Sequence, residues 1–213
     1  MQAVRWKNAV IGYGRKAILE DVNISIPRGS FALIYGDNGS GKTTLVKTLK
    51  ENRLLKKGHV QIAEGLAVNM AYIPQQTAIR TFFPLTIFNT VAMGLNAETG
   101  YFRGLSHADR QRVLDMLTVL KLEHKAEQLL GECSGGEIKK TLLGRALIKH
   151  PALLIMDEPF VNVDDASKQI IIETVLKRNS SGMTVLLISH GHAELKQYAK
   201  LLFHVRQGGV HAA

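Results

Sequence analysis

The run Gly36-Asp-Asn-Gly-Ser-Gly-Lys-Thr43 matches the pattern G-x-x-x-x-G-K-[ST] at every required position. Gly36, Gly39 and Gly41 let the backbone turn its N–H groups inward, and a helix opening near Lys42 would add the positive end of its dipole. Asp37, Asn38 and Ser40 fill the intervening positions and Thr44 follows. Such a loop wraps phosphate oxygens, with Lys42 reaching toward β- and γ-phosphates and the Thr43 hydroxyl suited to Mg²⁺. A second group of residues, Leu153-Leu-Ile-Met-Asp157-Glu158, is an apolar run ending in two acids. A buried strand of this kind lifts Asp157 to the sheet edge, where it can hold Mg²⁺ through water, and leaves Glu158 free to polarise a water for attack on phosphorus. Ser134, Gly135, Gly136 and Glu137 open a helical pattern, and a serine followed by two glycines at a helix start forms another anion-binding nest. His190 directly follows the apolar run 184–188 and Ser189, and taken alone reads as a satisfied histidine at a strand end.

Two phosphate-grasping loops in one chain, in this order with the paired acids, resemble the ABC ATPase family, whose signature Leu-Ser-Gly-Gly-Gln corresponds to Cys133-Ser-Gly-Gly-Glu137. Cys133 stands for the usual leucine and Glu137 for the usual glutamine. The resemblance runs from about Trp6 to Arg206 and implies further roles. Tyr13 matches the aromatic that stacks on adenine. Tyr-Ile-Pro-Gln75 resembles the loop whose glutamine contacts Mg²⁺ and the attacking water, although Gln76 follows at once and the alignment admits either. Asp164, in Val161-Asn-Val-Asp, matches the aspartate of the loop at the subunit contact, with the usual Ser-Ala-Leu before it altered. His190 matches the switch histidine, with Gly191 in place of a frequent acid. Ser134, Gly135, Gly136 and Glu137 would close on the γ-phosphate of ATP held by a partner subunit, so two copies would sandwich two nucleotides. Glu158, His190, Lys42 and Gln75 are thereby the expected catalytic set, and ATP and Mg²⁺ the expected cofactors.

These residues need a scaffold. Strand patterns cover Val4–Tyr13, Ala17–Ile26, Ser30–Tyr35, Gly58–Ala63 and Met70–Ile73, and helix formers occupy Lys42–Glu51. From Leu85 to Lys149 the apolar residues fall at helical spacing, over Thr86–Leu95, Ser106–Leu120 and Gly135–Lys149, with Val113, Leu117 and Leu120 as core candidates. Pro151 closes that stretch. Leu153–Met156 and Thr184–Ile188 suit strands buried on both faces of a parallel sheet, joined by a helix over Ala166–Arg178. The family resemblance implies an α/β fold: a P-loop NTPase (RecA-like) core with an N-terminal antiparallel β-subdomain and an inserted α-helical signature subdomain. We expect a single domain over 1–213, with the core and β-subdomain in 1–84 and 150–213 and the helical part in 85–149.

The chain has 213 residues and a formal charge of +9, which suits nucleotide phosphates, nucleic acid or an anionic membrane surface without choosing among them. Its basic residues are scattered among acids, so solvated faces account for most of the excess. A single cysteine excludes an internal disulfide and fits a reducing cytoplasm. No apolar run reaches the ~20 residues of a spanning helix, so any transport pathway lies in another chain. The resemblance implies permease subunits and a second copy of the chain as partners, a soluble solute-binding protein as a further one, and a place at the cytoplasmic face of the membrane. Phe82-Phe-Pro-Leu-Thr-Ile-Phe88, Met93-Gly94 and Tyr101-Phe-Arg103 resemble the permease-docking region of zinc, manganese and iron importers, although helical apolar spacing suits the lobe's own core equally well. A divalent-metal importer is the expected system, with siderophore, haem or another small nutrient as the alternative cargo. With only a short stretch after Arg206, no added regulatory domain is expected. A P-loop kinase or GTPase would have no use for the second nest, and nucleic-acid-associated ABC proteins generally carry two cassettes or a long coiled coil, so no nucleic acid is expected.

Overall fold

A computed structural model describes residues 1–75, 84–95, 104–190 and 193–213. Gln76, Phe82, Phe83, Tyr101, Phe102, Arg103 and Gly191 lie outside the described residues. The chain divides into two compact units, one of residues 1–72, 152–158 and 178–213 and another of residues 73–151 and 159–177.

The first unit contains the long strands β1 (Gln2–Tyr13) and β2 (Lys16–Pro27), then β3 (Phe31–Tyr35), helix α1 (Lys42–Lys47) and β4 (Leu55–Ile62). β5 (Met70–Ile73) reaches the boundary, and β6 (Leu153–Asp157), β7 (Thr184–Ser189), β8 (Leu201–Arg206) and β9 (Gly209–Ala212) follow later in the chain. β2, β1 and β4 form an antiparallel sheet in that order. A six-stranded sheet runs β5-β6-β7-β3-β8-β9. Within it β6, β7, β3 and β8 are parallel, and β9 turns back antiparallel on β8. The sequence accounts for the difference between the sheets. β6 and β7 are buried at every position, as strands covered on both faces must be, whereas β1 and β2 interleave buried and exposed residues. One apolar core joins both sheets, from Val4, Trp6 and Ile11 to Leu153, Ile155 and Leu186. Inside it the Trp6 indole N–H donates to Thr48 Oγ1 at 2.9 Å, which satisfies the one polar atom of a side chain that is 1% exposed.

The second unit packs α2 (Ile87–Ala92), α3 (His107–Val119) and α4 (Gly135–Leu147); α5 (Asp165–Ser180) begins in it. Val113, Leu117 and Leu120 are fully buried, as their spacing predicts. The helices meet at Gly144, where a Cβ would touch Leu120 Cδ1 at 2.8 Å and Val91 Cγ2 at 3.1 Å. Side chains cap these helices: Thr86 accepts from Asn89 N, and Ser106 with Asp109 and Ser134 with Glu137 each form a capping box.

Several expected boundaries move. The helix expected over Lys42–Glu51 ends at Lys47 and continues as turns; that over Thr86–Leu95 becomes α2 and a 3₁₀ turn at Met93–Leu95, where Gly94 sits against the Arg145 carbonyl. The β8–β9 hairpin was not legible in the sequence.

Candidate functional site

β3 ends at Tyr35, and the chain then bends through Gly36 (φ 152°) and Gly41 (φ 103°) into α1. At Gly36 a Cβ would collide with the Val205 carbonyl, so the loop can follow this path only with glycine there. The first N–H groups of α1 have no intrahelical acceptor and line the loop. Lys42, 6% exposed, lays its Nζ across the same loop, donating to the Gly36 and Asp37 carbonyls at 2.8 Å each. Burial holds its pKa below the usual lysine value, against the opposing pull of Glu158, Asp157 and Asp37. Ser40 Oγ is buried without a hydrogen-bond partner, a polar atom that a phosphate oxygen would satisfy. Asp37, Asn38 and Gly39 are exposed at the tip, and Thr44 is buried behind it.

The paired acids arrive at the end of β6. Asp157 is 1% exposed, and its Oδ1 accepts from Thr43 Oγ1 at 3.0 Å while Oδ2 accepts from the Tyr72 hydroxyl at 3.2 Å. Burial pushes its pKa up, opposed by those two hydrogen bonds. The same burial, with Asp157 alongside, pushes the Tyr72 hydroxyl well above the ordinary tyrosine range. Glu158, 3% exposed, has left-handed backbone (φ 49°), an uncommon conformation for a residue of its kind, and its N–H is bonded to the Ile188 carbonyl at 3.0 Å. Its carboxylate faces His190 with both oxygens: Oε1 lies 2.7 Å from Nδ1, and Oε2 accepts from the His190 N–H at 3.2 Å. Lys42, Thr43, Asp157, Glu158 and His190 are thus brought together within one unit. Thr43 Oγ1 and Asp157 Oδ1 are hard oxygen donors side by side, a set that fits Mg²⁺. Tyr13, at the end of β1, is 48% exposed and open to a stacking partner.

The second unit holds the other nest. Ser134 is the N-cap of α4; its Oγ accepts from Glu137 N at 3.3 Å, and Glu137 Oε2 accepts from Ser134 N at 2.9 Å. A Cβ at Gly135 would collide with the Asn162 carbonyl, and one at Gly136 with the Asp164 and Ser167 side chains. The glycine pair is therefore demanded by the 162–164 turn packed on it as well as by any anion. Asn162 is left-handed (φ 59°), and Asp164 Oδ1 takes the Ser167 N–H at 2.8 Å, which caps α5 and holds the Asp164 carboxyl below its usual pKa. Gln75 is exposed, with its carbonyl accepting from Lys139 Nζ at 3.0 Å. Tyr72, Lys125 and Asn162 were missed by sequence reasoning. Tyr72 and Asn162 stood inside the runs Tyr-Ile-Pro-Gln75 and Val161-Asn-Val-Asp164, whereas Lys125 left no signal.

Among known proteins, the family described as "ABC transporter" matches residues 19–161. The manganese transport system ATP-binding protein MntB of Listeria innocua is 29% identical over 192 residues, covering 88% of this chain and 80% of that protein. The zinc transport system ATP-binding protein TroB of Treponema pallidum is 30% identical over 210 residues, covering 96% and 79%. In three dimensions the chain is similar to an ATP-binding cassette of an ABC transporter in its ADP conformation, with a TM-score of 0.82 at 27% identity over 99% of this chain and 90% of that one.

Proposed function

This chain belongs to the ABC transporter family and is an ATPase of that family, and from that premise we propose that it powers the import of a divalent transition-metal ion, manganese or zinc, through a separate membrane permease. The manganese and zinc transport relatives support the cargo. None of the described helices is long and apolar enough to cross a membrane, in keeping with a peripheral subunit held at the membrane's cytoplasmic face by its permease.

The observation that carries the catalytic reading is the Glu158–His190 pair next to the Thr43–Asp157 pair. ATP lies with its phosphates in the Gly36–Thr44 loop and its adenine against Tyr13. Lys42 leaves the loop carbonyls for the β- and γ-phosphates and stabilises the charge that develops there. Thr43 and Asp157 would hold Mg²⁺, which when bound would neutralise phosphate charge. Glu158 orients a water and takes its proton; His190, held by both Glu158 oxygens, fixes the direction of that carboxylate and reads the γ-phosphate. Gln75 serves as the link to the attacking water. Ser134, Gly135 and Gly136 of a second copy cover the γ-phosphate from the other side, with Asp164 supporting the nest. Differential affinity for ATP then favours the closed dimer, and hydrolysis releases it.

Glu158→Gln tests this reading. It is expected to lower ATPase turnover by about 10²–10⁴-fold and to trap an ATP-dependent dimer in gel filtration. Wild-type turnover in that variant would refute the assigned base. Crosslinking of Ser40→Cys in one chain to the native Cys133 of a second, when ATP is added, tests the sandwich without placing a side chain at Gly135. Co-purification from native membranes and metal-uptake assays test permease and cargo.

A further inference from the structure

Glu137 raises an electrostatic question at the second nest. A carboxylate there places a negative charge beside backbone N–H groups that, on the reading above, receive a phosphate. The structure pairs that charge: Lys125 Nζ lies 2.6 Å from Glu137 Oε1, while Oε2 is engaged by the Ser134 N–H at 2.9 Å. Both carboxylate oxygens are therefore committed. Ser134 Oγ in turn accepts from the Glu137 N–H at 3.3 Å, and the Ser134 side chain also supports the Glu137 carboxylate.

Lys125 is not a freely moving surface lysine. It closes a 3₁₀ turn, Glu123–Lys125, with its N–H on the Leu122 carbonyl at 3.0 Å and its own carbonyl accepting from Gln128 N at 2.9 Å. The residues after it are tied to the start of α2: Ala126 O accepts from Phe88 N at 2.8 Å and Gln128 O from Ile87 N at 3.0 Å. Its ammonium is thus delivered to Glu137 by a braced segment, and the two side chains are only 35% and 17% exposed.

We propose that Lys125 is a positioning residue of the second nest, pairing with Glu137 so that this carboxylate caps Ser134 without repelling the γ-phosphate of ATP bound to a second copy. The role rests on the proposed nucleotide sandwich. A glutamine at position 137 would need no such counter-charge, so the requirement for Lys125 should vanish with the Glu137 charge.

The experiment uses the full chain carrying Glu158→Gln and measures, by light scattering, the ATP concentration at half-maximal dimerisation. ATP-driven dimerisation of that reference chain reads on the sandwich alone; its absence would refute the proposed function before any Lys125 variant is made. With dimerisation established, Lys125→Met is expected to raise the ATP midpoint about tenfold, whereas Lys125→Arg stays within about threefold. Adding Lys125→Met to a Glu137→Gln chain is expected to change that chain's midpoint by less than about twofold. Lys121→Met is the charge control, since Lys121 makes no hydrogen bond to Glu137, and is expected to leave the midpoint unchanged. Binding of a fluorescent ATP analogue to the monomer separates damage to the first loop or to folding from loss at the nest. An unchanged midpoint in Lys125→Met, or an equal loss in the Glu137→Gln chain, would overturn the proposal.

Discussion

The two proposed phosphate sites differ in how deeply they bury their charges. Around the Gly36–Thr44 loop the charges are enclosed: Lys42, Asp157 and Glu158 are 6%, 1% and 3% exposed, and each bonds to a neighbour that fixes its direction. Around Ser134 the charged side chains are Lys125 and Glu137, 35% and 17% exposed, joined by one ion pair on a capping box. Removing charges from water is expensive, and an incoming ligand that neutralises them recovers that expense. On the proposed reading the first site therefore stores electrostatic free energy that phosphate at Lys42 and Mg²⁺ at Asp157 would release. The second is inexpensive to form, is sensitive to salt, and suits a contact that must be made and broken in each cycle.

Asp157 tests that contrast most severely. Asp157→Asn is expected to reduce ATPase activity by two or more orders of magnitude, since Asn is a poorer Mg²⁺ ligand. The same change is expected to raise Tm. Because the folded-state pKa is lifted by burial, the folded chain binds this proton more tightly than the unfolded one, so the ionised group opposes folding above that pKa and the opposition fades as pH falls through it. Loss of both activity and Tm would contradict stored strain at Asp157. At the nest the sign reverses. Lys125 holds the Glu137 carboxyl below the usual range, so its contribution to stability is present above the unfolded pKa and is lost as pH falls through the folded one. Thermal scans of the wild-type chain against Lys125→Met at neutral and acidic pH should therefore converge at the acid end.

A smaller effect is expected at the 162–164 turn. Asn162 has φ 59°, where asparagine is tolerated better than a residue with a plain Cβ, and its carbonyl rests on Gly135. Asn162→Ala should lower stability by about 1 kcal/mol and Asn162→Gly by less. Chemical denaturation measures both, and equal losses would show that the side chain rather than the backbone angle matters.

What the sequence disclosed follows from the same physics. Gly36–Thr43, Asp157-Glu158, Ser134–Glu137 and His190 were legible because each is a contiguous run whose chemistry depends on local backbone geometry, and the buried strands β6 and β7 announced themselves as unbroken apolar runs. Contacts between residues distant in sequence carried no such mark. Tyr72 and Asp157 are 85 positions apart, and Lys125 reaches Glu137 only because a 3₁₀ turn folds it back. The β8–β9 hairpin was hidden for a local reason. Its two-residue turn has positive φ at both Gln207 (50°) and Gly208 (74°), and glutamine is not among the residues that advertise such a turn. That hairpin also sets His204 opposite His211, seven positions away along the chain.

Tyr72 offers the finest resolution of the comparison, because it changes one hydrogen bond at the buried site and leaves every charge in place. In Tyr72→Phe, Asp157 Oδ2 loses its hydroxyl donor while remaining shielded from water. The hydrogen bond favours the ionised carboxyl, so its removal lifts the Asp157 pKa further, and the acid limb of the ATPase pH profile should move to higher pH. One buried hydrogen bond to a charged group contributes about 1.5–3 kcal/mol, so a loss of roughly tenfold or more in kcat/KM is expected near that limb, shrinking as pH rises. The parallel change at the nest is Thr141→Val, which removes a hydroxyl bonded to the Glu137 carbonyl at 2.8 Å, a neutral acceptor already satisfied within a helix. It should leave the pH profile where it is. If the two variants shifted the acid limb alike, enclosure at Asp157 would confer no special sensitivity and the distinction between the two sites would fail.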